Sequence, residues 1–381
     1  MMHNDPEFLD YLAGLDTKTS FSTKKEIDVT TAAALKKIGL KRKLSGKRKA
    51  GRVLLIAAAV AAGAVVTAAA AGVNIGDMFR GYFASGKIYG PFNPNSSAVT
   101  SLTESQTKVL EQAGKALNMS ATNNGTTVTV DGVVGDNSSI YILLDVTAPN
   151  GTKLGRNDYA FDWTDGHSGI EILEKGGAKV ASKNSWGLSW IYSVLKDASP
   201  NDNKLRMVLD VSGTGLDLRG KEAHLYLKNL SIPDPNRKAE YLPVVKGEWH
   251  FIVPLDYASP SKELTVNKLT HFKPYISPNA SASEREKAAN KTFQCTVKSI
   301  SLSSLSATVD YVGDKPAAKG GIPTPFAMTF HLRDGSQTEV LGIGGSGGTP
   351  TTETRTYIFS APIDIDSISS VTIGDLTVPV T

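Results

Sequence analysis

The chain has 381 residues, with 41 Lys or Arg against 37 Asp or Glu and a formal net charge of +4. Residues 1–52 hold 12 of the basic side chains against 6 acidic ones, leaving 29 against 31 in the remainder. A nucleic-acid binder spreads its positive charge over a folded face. Here the excess sits in one terminal run, which excludes nucleic acid as a partner and points to anionic lipid.

Residues 1–35 are short of large apolar groups. A short helix is expected from Pro6 to about Ala13, with Asn4 or Asp5 as cap and Pro6 in the first turn, and a second from Asp28 to Ile38. Neither buries a core alone. The tail is therefore either disordered or a pair of amphipathic helices that fold on a cytoplasmic partner, through Phe8, Leu9, Leu12, Leu35 and Ile38. With His3 as its lone histidine and no cysteine, residues 1–52 cannot build a zinc site.

Lys36 to Arg52 carries nine Lys or Arg and no acid, and Val53 to Val73 follows with twenty-one residues and no charge. A helix needs roughly 20 apolar residues to cross a hydrocarbon core of ~30 Å. Basic residues beside such a span stay on the cytoplasmic side. Lys41, Arg42, Lys43, Lys47, Arg48, Lys49 and Arg52 thus predict a single-pass cell-membrane protein, N-terminus inside and everything after Val73 outside. Ten of the twenty-one residues are Ala, so the span is weakly apolar. The rival reading is a signal peptide cleaved after Ala71. It fits less well, because 52 residues precede the apolar core and signal peptides total ~15–30.

Asn74 to Ala98, rich in Gly, Ser, Asn and Pro, reads as a spacer between the span (53–73) and an outer domain at 99–255. Thr103-Glu104-Ser105-Gln106 has the form of a capping box and opens a helix expected to end near Asn118. From Thr126 the apolar period changes to two. Val128, Val130 and Val134 mark one strand with a bulge at Gly132, Gly135 to Ser138 is turn chemistry, and Ser139 to Thr147 is apolar on both faces like a central strand. Strands follow at 178–180, 188–195, 204–211, 223–232 and 249–253.

Pro254 to Ser261 marks a boundary to a second domain, 256–381. Its strands are expected at 264–269, 292–302, 305–312, 327–333, 356–359, 371–373 and 376–380, with a helical insertion at 282–289. Asp334-Gly335 signals a hairpin. Gly342 to Gly348 lacks the Lys-Ser/Thr ending of a phosphate loop and reads as a flexible loop. The fold class is mainly β: one transmembrane helix, then two antiparallel β-sandwich domains of immunoglobulin type, the first with one packed helix. The lone Cys295 alternates with Phe293 and Val297 and is expected to be a buried, inert thiol.

The basic run and Ala-rich span, then LTESQTKVLEQAG and NGTTVTVDGVVGDNSSIYILLDVTAPNGT, resemble a bacterial membrane family, domain-of-unknown-function family four-one-seven-nine, found in anti-sigma-factor-like proteins. The ending SISSVTIGDLTVPV resembles the immunoglobulin-like domain that commonly follows it. The resemblance implies an outer sensor-like region and a cytoplasmic regulatory tail, although residues 1–50 carry no standard sigma-binding motif.

No catalytic, cofactor or metal site is legible. The six histidines form no metal-ligand pattern in sequence, and no G-x-S-x-G elbow occurs. Trp163 to His167 reads as an ordinary loop between strands. Trp186 and Trp190 share a face, with core packing expected and glycan stacking the alternative. The expectation is a non-enzymatic envelope signalling regulator whose tail restrains a sigma factor. The alternative is a membrane-anchored module that binds cell-wall glycan or a surface protein.

Overall fold

The computed structural model describes residues 65–66, 74–84, 102–162, 168–180, 187–195, 199, 201–237, 240–276, 281–313, 322–347 and 351–381. The chain divides into Met1–Val65 and Val66–Thr381, and the helices and sheets described below lie in the second unit. Of the apolar stretch only a two-residue strand, β1 (Val65–Val66), is described. Among the described residues no helix is long and apolar enough to cross a membrane.

The segment expected to be a spacer begins with a helix, α1 (Ile75–Ala84). Asn74 caps it by accepting the Asp77 amide at 3.0 Å. Ile75, Phe79, Tyr82 and Phe83, spaced along one face, are buried. Sequence reading missed α1 because its glycines, Gly76 and Gly81, and its short length masked that stripe.

Helix α2 (Glu104–Gln112) starts at the expected capping box, with Thr103 Oγ1 accepting the Gln106 amide and Gln106 Oε1 accepting the Thr103 amide. It stops six residues before Asn118. Ala113 closes it, its carbonyl accepting the Gly135 amide at 2.9 Å, and the chain becomes β2 (Gly114–Asn123). Pairing along the valine-rich β3 (Thr126–Gly135) overrides the helical pattern, and Asn118 takes a φ of 52° at the bulge that results. Gly114 and Gly132 leave a slot for Ile75: a Cβ on either would stand 2.7 or 2.8 Å from that side chain.

The hairpin of β3 and β4 (Ser139–Thr147) forms as expected, bulge at Gly132 included. After β5 (Ala160–Phe161), β6 (Gly169–Glu174) and β7 (Ala178–Lys179) come β8 (Gly187–Val194) and β9 (Lys204–Thr214). A long hairpin follows, β10 (Glu222–Pro233) with β11 (Tyr241–Pro254). One antiparallel sheet runs β2-β3-β4-β9-β8, with β4 central and buried. A second runs β11-β10-β6-β7, with β5 also on β10. The two face each other: Trp249 Nε1 of β11 donates to the Thr126 carbonyl of β3, and the Phe161 ring lies edge-on to Tyr192 and Trp249.

The third sheet runs β12 (Ser261–Phe272), β13 (Phe293–Ser303), β14 (Ser306–Val312), β17 (Thr352–Ile358), β16 (Gln337–Gly347), β15 (Ala327–Leu332), β18 (Ile368–Ile373) and β19 (Leu376–Pro379), all neighbours antiparallel. The short helix α3 (Ala282–Ala289) lies between β12 and β13, as expected. The glycine-rich stretch is a strand rather than a loop. Gln337 to Leu341 pairs with β15 and Gly342 to Gly347 with β17, so β16 joins the two halves of the sheet. Gly342 lets it pass: a Cβ there would stand 2.8 Å from Arg355 Cδ and 3.2 Å from the Phe326 carbonyl oxygen. Buried residues from every strand but β19 meet in one core that includes Cys295, Ile300, Tyr311, Phe330, Tyr357 and Val371, with Val380 just beyond β19.

A second core gathers α1, α2, β3, β4 and β9 and takes in Leu305 and Ile358 of the third sheet's side. In it, Tyr82, Phe83 and Tyr141 pack with ring centroids 5.1 to 5.4 Å apart. Beside it lies Asp136, fully buried in the β3–β4 turn. Its Oδ1 accepts the Ser138 and Ser139 amides at 2.8 and 2.7 Å. Its Oδ2 accepts the Ser303 and Ser306 hydroxyls at 2.5 and 2.8 Å and the Leu305 amide at 3.2 Å. Burial pushes this carboxyl above its ordinary pKa, while the Ser303 and Ser306 hydroxyls and the Ser138 and Ser139 amides pull it back.

Asp136→Ala leaves three buried amides without an acceptor, each worth about 1–3 kcal/mol. The expected loss is about 3 kcal/mol or more, read as a lower urea midpoint for the whole unit. An unchanged midpoint removes Asp136 from this role. Phe83→Ala, which opens a cavity among Tyr82, Tyr141 and Phe79, is expected to cost about 3–5 kcal/mol in the same assay.

Candidate functional site

The side chains singled out from sequence all lie outside the described residues: the topology-setting Lys41, Arg42, Lys43, Lys47, Arg48, Lys49 and Arg52, and the tail residues Phe8, Leu9, Leu12, Leu35 and Ile38. So do the Trp163–His167 loop and Trp186. Trp190 is described, and it is not core. It stands 40% exposed on β8, near the β6 strand: a Cβ on Gly169 would lie 3.9 Å from its Cζ2.

The richest grouping is on the outer face of the second sheet. Along β10 and β11 alternate side chains enter the core: Ala223, Leu225 and Leu227 on one strand, Trp249, Phe251 and Val253 on the other. Their register leaves His224, Tyr226, His250 and Ile252 together on the opposite face, with Glu171 of β6 directly across from His224. Tyr226 stacks on its partner His250, centroids 4.6 Å apart and planes 11° from parallel. The His224 and His250 rings are 5.7 Å apart. The Nε2 atoms of both histidines are buried without a hydrogen-bond partner, and Glu222 Oε2, 3.7 Å from His224 Nε2, is too far to supply one.

Sequence reading treated the histidines as scattered, since 224 and 250 are 26 residues apart. The signal was present as alternation in both strands, but only the hairpin register brings the two rings together. Burial, then the neighbouring His224, lowers His250 from 6.5 to about 4. Tyr226 is raised by burial and by Glu171. His250 is therefore held neutral near pH 7, and beneath this face the Nε2 atoms of His224 and His250 are left without a hydrogen-bond partner.

A charged cluster marks the outer face of the first sheet. Arg206 of β9 makes a two-pronged pair with Asp145 of β4 at 2.7 and 2.5 Å, and reaches Asp131 of β3 at 3.0 Å. Burial and the adjacent Asp145 raise Asp131 to about 7, against the pull of Arg206. Elsewhere His271 Nδ1 lies 3.0 Å from Asp375 Oδ2, and His331 Nε2 lies 2.8 Å from Thr372 Oγ1. No hydrogen bond joins these two pairs into a relay. Among the described residues no group of three or more His, Cys, Asp or Glu is placed to hold a metal ion.

Comparison with known proteins places part of this chain. Residues 47–148 match the model of a family described as a domain of unknown function, DUF4179. That stretch runs from the end of the basic segment through α1, α2 and the first hairpin. No match is found among curated proteins. Among solved structures, the conserved domain protein from Bacillus anthracis is similar at a TM-score of 0.42 and 16% identity, over 68% of this chain and 75% of that one.

The two outer faces bias stability in opposite directions with pH. Folding lowers His250 from 6.5 to about 4, so its contribution is present above 6.5 and is lost as the pH falls toward 4. Folding raises Asp131 from 3.8 to about 7, so its contribution is present below about 4 and is lost as the pH rises toward 7. Asp131→Asn is expected to raise the urea midpoint at pH 7 relative to that at pH 4.5. His250→Phe, which keeps the ring stacked on Tyr226, is expected to do the reverse. Parallel midpoint-against-pH curves for both variants and the parent contradict these assignments.

Proposed function

We infer that the chain is a single-pass cell-membrane protein, N-terminus cytoplasmic, acting as an anti-sigma-factor-like regulator. Its outer β-rich unit senses and its tail restrains a cytoplasmic sigma factor. The supporting observation is the order of parts. Nine basic residues abut twenty-one uncharged ones, and a single residue, Asn74, then leads into α1. Because α1 is built into the core through Phe79, Tyr82 and Phe83, a change in the outer unit would act directly on the end of the anchor. The family match spans this same connection. The reading extends to two outer domains, 99–255 and an immunoglobulin-like 256–381, supported by the third sheet's antiparallel order.

Topology is tested with single cysteines in whole cells, since the native Cys295 is buried. Asn290→Cys is expected to react with a membrane-impermeant maleimide, and Ser45→Cys only after the cells are opened. Equal labelling of both in intact cells overturns the anchor. The regulatory step is tested by purifying the full chain from its own cells in detergent. Co-purification of a sigma factor that is lost on deleting residues 1–35 supports it, and a chain that brings down no sigma factor defeats it.

A second reading, a membrane-held module for wall glycan or a surface protein, is favoured by two half-exposed aromatics, Tyr226 stacked on His250 and Trp190 near Gly169. It expects retention on isolated wall material that Tyr226→Ala weakens and that deletion of residues 1–35 leaves alone.

A further inference from the structure

An exposed strand edge is a row of unpaired amides and carbonyls, and proteins blunt such edges with charge, proline, bulges or brevity. The edges of the second and third sheets are treated that way. Strand β7 is two residues long and ends in Lys179. Strand β11 carries Pro243, Lys246 and Glu248, and its pairing is broken by register shifts. The outermost strands of the third sheet are tied together, the His271 amide of β12 donating to Asp375 Oδ1 and the Asp375 amide to the His271 carbonyl.

Strand β8 has none of these devices. Gly187–Val194 reads GLSWIYSV, with no charge and no proline. It pairs with β9 without a break from Gly187–Thr214 to Val194–Met207, and stands last in its sheet. It exposes one large apolar side chain on each face, Trp190 at 40% and Ile191 at 36%, while Val194 is buried. Among the described residues, β9 is its sole strand partner.

We propose that β8 is a dimerisation edge, on which β8 of a second copy of this chain adds antiparallel to make one continuous sheet. The strand's own sequence selects this occupant. Directly opposed residues of an antiparallel pair share a face, so a two-fold axis normal to the sheet must pass through a single central residue. With Ile191 at the centre, Trp190 faces Tyr192 of the second copy, Ser189 faces Ser193, Leu188 faces Val194, and Ile191 faces itself. Every pair is then like with like: aromatic on aromatic, hydroxyl on hydroxyl, aliphatic on aliphatic, the cross-strand pairs that stabilise sheets. Centring on Trp190 instead sets Ser189 against Ile191 and Leu188 against Tyr192, a poorer match. A strand without charge also meets its own copy without repulsion, and offers a charged peptide nothing to pair with. The inference does not depend on the membrane reading.

The test uses the full chain in detergent, with protein mass read by light scattering. The parent is expected to be a dimer. Ile191→Lys, and independently Ser189→Lys, are expected to weaken it at least tenfold while leaving the urea midpoint in place; both positions are exposed, so at least one variant should fold. A short bifunctional maleimide is expected to couple Ile191→Cys to itself. It should couple a mixture of Ser189→Cys and Ser193→Cys, but neither of these alone. A monomeric parent, a dimer indifferent to both lysines, or coupling in another register overturns the proposal.

Discussion

A carboxylate with no exposure must have its oxygens hydrogen-bonded, because an unpaired buried charge costs several kcal/mol. Asp136 meets that demand with donors from two places far apart in the chain. Oδ1 is held by its own turn, and Oδ2 by the turn between β13 and β14, near residue 305. The Asp136 carbonyl is taken as well, by the Tyr257 hydroxyl at 2.9 Å, just where the chain leaves the second sheet for the third. Gly135 must lack a side chain for that ring to approach, since a Cβ there would lie 2.5 Å from Tyr257 Cζ. One residue thus ties together the first hairpin, the connection and the third sheet.

What the sequence made legible follows from how local each signal is. The β3–β4 hairpin was readable because alternation, a bulge glycine and a turn sit within 22 residues. The capping box of α2 was readable for the same reason. The end of α2 was not. Leu117 fits a helical stripe equally well, and only the pairing of β2 along β3 decides the matter. Gly135 to Ser138 was correctly read as a turn, yet nothing near it in sequence announces that Asp136 will be buried by Ser303 and Ser306. Glycine composition misled in two places. It made α1 look like spacer and the end of β16 like loop, whereas both glycine sets permit close packing, at Gly76 against Thr107 and at Gly342 against Tyr357. Trp190 was expected in the core from its spacing to Trp186. Its place on an edge strand depends on strand order, which a single sequence does not specify.

The same long-range ties limit how the outer unit can respond. Domains joined by a small polar interface are free to swing on one another. Here Leu305 and Ile358 enter the core that α1 and α2 share with β3, β4 and β9, and Asp136 locks that junction with hydrogen bonds in low dielectric, where they are strong. A hinge at residues 254–261 would have to break both. Under the proposed function, movement would then fall to the docking of α1, at the end of the proposed anchor, and to the proposed β8 edge. The two are connected, because Tyr82 and Phe83 of α1 pack on Tyr141 of β4, β4 pairs with β9, and β9 pairs with β8. A second copy adding to β8 would extend the sheet on which α1 sits, so the proposed dimer edge and the proposed anchor would be coupled through paired strands rather than through a hinge.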